Sequence, residues 1–186
     1  MRVAITGSSG LVGTALRERL ASAGHEVIPV VRRAAAPGEV QWDPERGTIG
    51  DGAFDGIDAV VNLAGVGIAD KRWTPEHKAA IRSSRMRATT LVSETIAATS
   101  NGPKVLLSGS AIGCYGSRAD EVLDERSTLG DDFLAGVTKD WEASTAAASA
   151  AGVRVAHLRT GIVLSAKGGA LKKQLPLFRL GLGGRF

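Results

Sequence analysis

ITGSSGLVG, residues 5–13, is the stretch of this 186-residue chain from which its architecture can be worked out. Its three glycines, Gly7, Gly10 and Gly13, stand at three-residue intervals between a short apolar run, RVAIT (2–6), and a helical pattern over 11–23. Glycine permits a tight strand-to-helix turn, clears space where backbone meets a phosphate, and lets the helix pack close on the strand. The start of that helix offers free N–H groups and a partial positive charge. The usual dinucleotide fingerprint is GxGxxG, and the spacing here is GxxGxxG. Its placement after a first strand and ahead of a helix therefore carries the reading. Leu16 and Leu20 lie one turn apart on the helix, backed by Val12 and Ala23, and Gly24 stops it.

Outward from the loop, apolar runs alternate with helical segments. HEVIPVVRR (25–33) reads as a second strand ending in two arginines, and EVQW (39–42) as a short third. DAVVNLAG (58–65) is nearly all apolar, as a parallel strand buried on both faces should be. Thr74 can cap and Pro75 can open a helix whose spacing runs through Ile81, Ala88, Leu91, Thr95 and Ile96 to the break at Asn101. KVLLSGSAIG (104–113) gives a fifth strand, a helix is expected over 132–151, and VRVAHLRTGIVL (153–164) gives a sixth strand. The alternation predicts a doubly wound α/β fold, a parallel sheet covered by helices on both faces. Residues 1–186 read as one dinucleotide-binding domain. The glycine-rich stretch KGGALKKQLPLFRLGLGGRF (167–186) shows no closing strand or helix, so either it is a disordered tail or, the favoured expectation, the chain is the front part of a longer protein.

Composition narrows the function. A hydrophobic fraction of 44% and a charged fraction of 23% are those of a globular protein, and only 4% aromatics favours close-packed helices on a sheet over a β-sandwich. The net charge of +4 is a mild basic excess with no interleaved aromatic platform, so no nucleic-acid partner is expected. It suits an anionic nucleotide equally well. Cys114 is the only cysteine, which excludes an intrachain disulfide and a cysteine-based zinc site. His25, His77 and His157 lack metal-ligand spacing, and no metal is expected. No apolar run approaches the ~20 residues that span a bilayer. Met1 leads straight into the first strand, leaving no room for a signal peptide. The expectation is a cytoplasmic protein without membrane contact.

The second strand bears on which dinucleotide is held. An NAD-preferring site places a carboxylate at its end to bind the ribose 2′-hydroxyl. Here that place holds Val31, Arg32 and Arg33. An arginine there can pair with a 2′-phosphate, which favours NADP over NAD.

With those residues in view, the chain resembles the extended branch of the short-chain dehydrogenase/reductase superfamily. It is most similar to the atypical epimerase-like proteins of the NAD-dependent epimerase/dehydratase family. TGSSGLVG (6–13) resembles the superfamily's TGxxGxxG loop and NLAG (62–65) its fourth-strand motif. QWDP (41–44), KRWTPEHK (71–78), SSR (83–85), SAIGCYG (110–116), DWEA (140–143) and LRTGIVLSAKGGAL (158–171) follow in family order. The resemblance implies a Rossmann-type fold followed by a small C-terminal substrate domain. It implies that Gly7, Gly10, Leu11 and Val12 face the pyrophosphate, and that Val31 and Arg32 flank the adenosine ribose with its 2′-phosphate. Asn62, Leu63 and Ala64 would line the adjoining groove, and Gly161 and Val163 would present backbone to the nicotinamide. Arg85 would reach back to the cofactor, or else be a surface arginine on a long helix. The oligomeric state stays open: relatives often pair through long helices, here 75–100 and 132–151, which would make a homodimer.

The catalytic pattern departs from the superfamily's. Active members pair a serine with YxxxK, whose tyrosine is the acid/base and whose lysine assists it. Ser110 fits the serine. If Glu142 aligns with the acid that follows the pair, Leu134 and Thr138 stand where Tyr and Lys belong. Lys139 is one residue away, ~100° around a helix. Tyr115, the only tyrosine, is the candidate proton donor from the neighbouring loop, with a structural hydroxyl as the other reading. Asp140, Trp141 and Glu142 read as packing and surface, and Cys114 as a small packed residue. The expected function is an NADP-dependent oxidoreductase or epimerase-like enzyme acting on a nucleotide-sugar or small carbonyl substrate. The alternative is a catalytically silent NADP-binding sensor or scaffold.

Overall fold

The computed structural model describes residues 1–183. The end of the glycine-rich stretch, residues 184–186, lies outside them. The glycine loop joins strand β1 (Arg2–Thr6) to helix α1 (Leu11–Ser22), and β2 (Glu26–Val31) returns parallel to β1. β3 (Val40–Asp43) adds outside β2, with a two-residue strand β4 (Thr48–Ile49) at that edge. The chain then crosses back to β5 (Ala59–Asn62) on the other side of β1, and continues through α2 (Pro75–Ala98) to β6 (Val105–Ala111). α3 (Phe133–Ala143) and α4 (Ala146–Ala150) lead to β7 (Arg154–Thr160), and α5 (Gly169–Arg179) follows. The sheet order is β4-β3-β2-β1-β5-β6-β7, and every pairing except β3–β4 is parallel. This is the doubly wound, Rossmann-type α/β sheet that the sequence predicts.

Alternation along the central strands feeds two cores. Val3 and Ile5 of β1 and Val61 of β5 pack with Leu16 and Leu20 of α1 on one face. Ala4 and Val60 meet Val92 and Ile96 of α2 on the other. Burial on both faces explains the nearly continuous apolar composition of these strands. The winding reverses between β1 and β5, where Thr6 stands in register with Asn62. In open sheets of this kind ligands bind outside the carboxyl ends of the strands at that switch point.

α2 begins where the sequence places it. The Thr74 hydroxyl accepts the His77 N–H at 3.2 Å, and Pro75 takes the first helical position. Thr74→Ala should therefore cost about 1 kcal/mol. That lowers Tm by about 2–4 °C in a chain of this size, read by thermal unfolding.

Four local features differ from the sequence expectations. β4 lies in what reads as loop: Gly47, at φ +67°, turns the chain so that Thr48 and Ile49 pair antiparallel with Asp43 and Trp42. The helix expected over 132–151 breaks at Ser144–Thr145. There the Ser144 hydroxyl donates to the Asp140 carbonyl and the Thr145 hydroxyl to the Glu142 carbonyl, competing with the helical ladder. β7 ends at Thr160, the last residue in register with β6, so Ile162, Val163 and Leu164 leave the sheet and are exposed. Finally, α5 forms within the glycine-rich stretch. Leu171, Leu175 and Phe178 keep helical spacing between the flanking glycines, a pattern that Pro176 obscures.

Candidate functional site

The glycine loop is held by close approach rather than by side chains. Gly7 has φ +64°, and a Cβ there would sit 2.7 Å from the Leu63 carbonyl oxygen. A Cβ on Gly10 would stand 3.2 Å from the Gly7 carbonyl oxygen, and one on Gly13 would collide with that same oxygen. The Gly10 N–H donates to this oxygen at 3.0 Å, closing the turn. α1 then starts from Gly10 in extended conformation with no side-chain cap. The first-turn N–H groups, those of Leu11 and Val12 among them, are thus left for an anion. The side chains of these two residues do not line the cleft: Val12 is exposed, and Leu11 lies beneath Gly168 and Gly169.

Thr6 couples this loop to the one after β5. Its hydroxyl donates to Asn62 Oδ1 at 2.6 Å and accepts the N–H groups of Leu63 at 3.1 Å and Ala64 at 3.3 Å. Asn62 Nδ2 in turn donates to Thr89 Oγ1 at 2.8 Å, and the same oxygen accepts Trp141 Nε1 at 2.9 Å. The Asn62 side chain is fully buried, so the expectation that it lines the groove is corrected. It fastens the switch point to α2 and α3 instead. Leu63 and Ala64 do line the cleft. Arg85 is likewise a support. Its Nη1 donates to the carbonyls of Val66 and Ile81, both at 2.9 Å, and its guanidinium lies 5.1 Å from the Trp141 ring centre. Burial pushes this guanidinium down from its ordinary pKa. It holds the far side of the loop whose front faces the cleft.

A cavity of about 700 Å³ opens above the switch point. Gly7, Gly10, Val31, Arg32, Leu63 and Ala64, all expected from sequence, share its lining with Arg17, Arg33 and Glu39. Gly161 and Val163 are not in that lining. A Cβ on Gly161 would meet the Ile112 side chain at 3.4 Å, and Val163 is exposed. Arg33 Nη1 and Nη2 each lie 2.6 Å from a Glu39 carboxylate oxygen, and the Ala36 N–H adds a third donor at 2.9 Å. The hydrogen bond from Arg33, then that from Ala36, holds the Glu39 carboxyl below its usual range.

Ser110 and Tyr115 belong to a second cluster, at the carboxyl ends of β6 and β7. Ser110 Oγ donates to Glu142 Oε1 at 2.5 Å. Arg159, in register with Ser110 across the two strands, donates from Nε to Oε1 and from Nη2 to Oε2, both at 2.9 Å. Arg159 Nη1 also donates to the Tyr115 hydroxyl at 2.9 Å. Burial acting alone would raise the Glu142 carboxyl, but the hydrogen bonds from Arg159 and Ser110 outweigh it and hold it low. The same bond to Glu142, followed by that to Tyr115, raises Arg159 further above its already high value. Glu142 is therefore no surface acid. It anchors both candidate hydroxyls through one ion pair. Cys114 beside them is fully buried, and burial pushes its thiol up, as suits a packed residue. At the positions of the absent pair, the Thr138 hydroxyl donates to the Leu134 carbonyl, an ordinary helix contact.

The glycine loop, the switch point and the serine at the end of β6 coincide with a match over residues 3–169 to the model of the NAD dependent epimerase/dehydratase family. The chain belongs to that family. Among its epimerase/dehydratase relatives, an epimerase family protein of Mycobacterium bovis is 46% identical over 98% of this chain and 60% of its own. A crystal structure of a nucleoside-diphosphate sugar epimerase from Corynebacterium glutamicum is 46% identical, with TM-score 0.87 over 100% of this chain and 38% of that one. The human epimerase family protein SDR39U1, crystallised with NADPH, is 34% identical, with TM-score 0.87 over 99% of this chain and 61% of that one. The chain thus spans about three-fifths of the length of the curated relatives it matches. Among the described residues of this family member, no three His, Cys, Asp or Glu side chains group to hold a metal, and no helix is long and apolar enough to cross a membrane.

Proposed function

We propose that this chain is the cofactor-binding domain, residues 1–186, of an NADP(H)-dependent epimerase/dehydratase-like oxidoreductase acting on a nucleotide-sugar or small carbonyl compound. One observation carries the cofactor reading. Arg32 stands at the end of β2 in the lining of the cleft, where an NAD site would place a carboxylate. The relative crystallised with NADPH supports it. The residues fit a dinucleotide, because the glycine cradle is just where a Cβ would collide. Gly7, Gly10 and the first turn of α1 would hold the pyrophosphate, and Arg32 the 2′-phosphate. When bound, the nicotinamide supplies hydride transfer.

The chain's own contribution is to fix where protons sit. Arg159 donates into the Tyr115 oxygen, so the Tyr115 proton points away from the guanidinium, toward the Cys114 thiol beside it or toward a ligand oxygen that replaces that contact. Ser110 donates to Glu142, so its oxygen is left to accept from a ligand hydroxyl. A silent cofactor-binding protein is the second reading, favoured by Leu134 and Thr138 at the positions of the absent pair.

Titrating the protein with NADPH and NADH, followed by nicotinamide fluorescence, should give NADPH a preference of about tenfold or more, the worth of one charge-assisted contact. Equal affinity for the two would remove the role given to Arg32. Turnover on a panel of sugar nucleotides and carbonyl compounds, measured with the full-length protein, separates the two readings. Activity lost in Ser110→Ala supports the enzyme, whereas activity unchanged by it excludes Ser110 from the mechanism.

A further inference from the structure

The cleft contains three arginines at its adenosine end, and they are not equivalent. Arg33 has both terminal nitrogens on Glu39 and gives a further hydrogen bond from Nη1 to the Ala34 carbonyl at 2.8 Å. Glu39 itself is fixed by the Ala36 N–H, and its side chain is only 16% exposed. Arg33 is therefore engaged before any ligand arrives. Of the acids in the lining, Glu39 is matched by Arg33 and Glu45 by Arg87, while Asp70 lies on the loop after β5. Arg32 and Arg17 form no ion pair with a described residue, and both line the cleft.

Arg17 reaches this place for a geometric reason. It stands one turn beyond Gly13 on α1, on the face that carries the glycine loop. Helical side chains lean toward the N-terminus of their helix. A long side chain at 17 is thus aimed back along α1 toward the carboxyl end of β2, where Arg32 lies. Its field reaches Glu39, whose carboxyl it helps to hold low after the contributions of Arg33 and Ala36.

We infer that Arg17 is the second cation of the 2′-phosphate subsite, acting with Arg32, and that Glu39 withdraws Arg33 from it. The inference rests on the NADP reading above. One cation from the end of β2 and one from α1 would then meet the phosphate. The second arginine of the Val31-Arg32-Arg33 run instead shapes the loop from 33 to 39.

The test compares wild type, Arg17→Gln and Arg33→Gln for binding of NADPH, NADH and 2′,5′-ADP at fixed salt, with circular dichroism to verify folding. Arg17→Gln should weaken NADPH and 2′,5′-ADP about tenfold while leaving NADH within about twofold. It should also flatten the salt dependence of NADPH binding. Arg33→Gln should leave NADPH within about twofold. A selective loss in Arg33→Gln, or an Arg17→Gln variant that affects both dinucleotides alike or neither, overturns the inference. A wild type that binds NADPH and NADH equally fails at an earlier step, by removing the NADP reading itself.

Discussion

Gly13→Ala is expected to destabilise the protein by about 2 kcal/mol or more, although the same change in most helices stabilises. Helix propensity favours alanine over glycine by up to about 1 kcal/mol. At this position the new Cβ would collide with the Gly7 carbonyl oxygen and lie 2.9 Å from Ser8 Cα and 3.0 Å from the Gly7 carbonyl carbon. All three are backbone atoms, and Gly7 has nowhere to retreat: its other side already faces the Leu63 carbonyl at a distance that excludes a Cβ. Overpacking of this kind costs about 1–3 kcal/mol after the surroundings relax, and more where they cannot. Thermal unfolding should show Tm lower by about 4–8 °C. NADPH affinity should fall with it, because the displaced atoms are the loop. An unchanged or raised Tm would mean that propensity alone governs the site, and the close approach of α1 to β1 would be refuted.

Glu142→Ala is the second large effect. It strands the Arg159 guanidinium and leaves the Ser110 hydroxyl without its acceptor. Breaking a fully buried pair costs about 3–5 kcal/mol. The side chains here are 13% and 20% exposed, so solvent relieves part of that, and about 2–3 kcal/mol is expected. Glu142→Gln, which keeps an acceptor for Ser110, should cost less. The same pair gives a pH dependence of defined sign. The folded-state carboxyl is held below its ordinary value. It therefore adds stability above the unfolded carboxylate range, near pH 4.3, and loses it as pH falls through the lower folded value. Urea unfolding at pH 7 and at pH 3 should show the gap between wild type and Glu142→Gln shrinking at the acid end. A gap that holds constant or widens there contradicts the ion pair.

What the sequence reveals is what is encoded locally. The glycine loop, the apolar strands and the Thr74-Pro75 helix start are each written in a few consecutive residues, and they stand where those residues put them. The Arg32 position follows from counting along β2. The misread residues are those whose role is set across the sheet. Asn62 lies in a motif associated with the cleft, yet which way its amide points depends on Thr6, 56 residues earlier, and Thr89, 27 residues later. Glu142 and Arg159 are 17 residues apart, and only the β6–β7 register brings Arg159 beside Ser110. Arg17 reads as one of several charges on an exposed helix until α1 is docked on β1. Its spacing from Gly13 was the available signal.

The Thr6 hydroxyl holds the amide of Asn62 and the N–H groups of Leu63 and Ala64 at one point, and it hangs from the strand that launches the glycine loop. The glycine loop and the loop after β5 are thereby tied at one point, like jaws cut from one casting. Variation that retunes one wall is transmitted to the other through that hydroxyl. The gauge of the cleft is set by the backbone on either side of β1 and β5, and side-chain changes along its rim, at Arg17, Arg32 or Arg33, can alter its charge without altering that gauge.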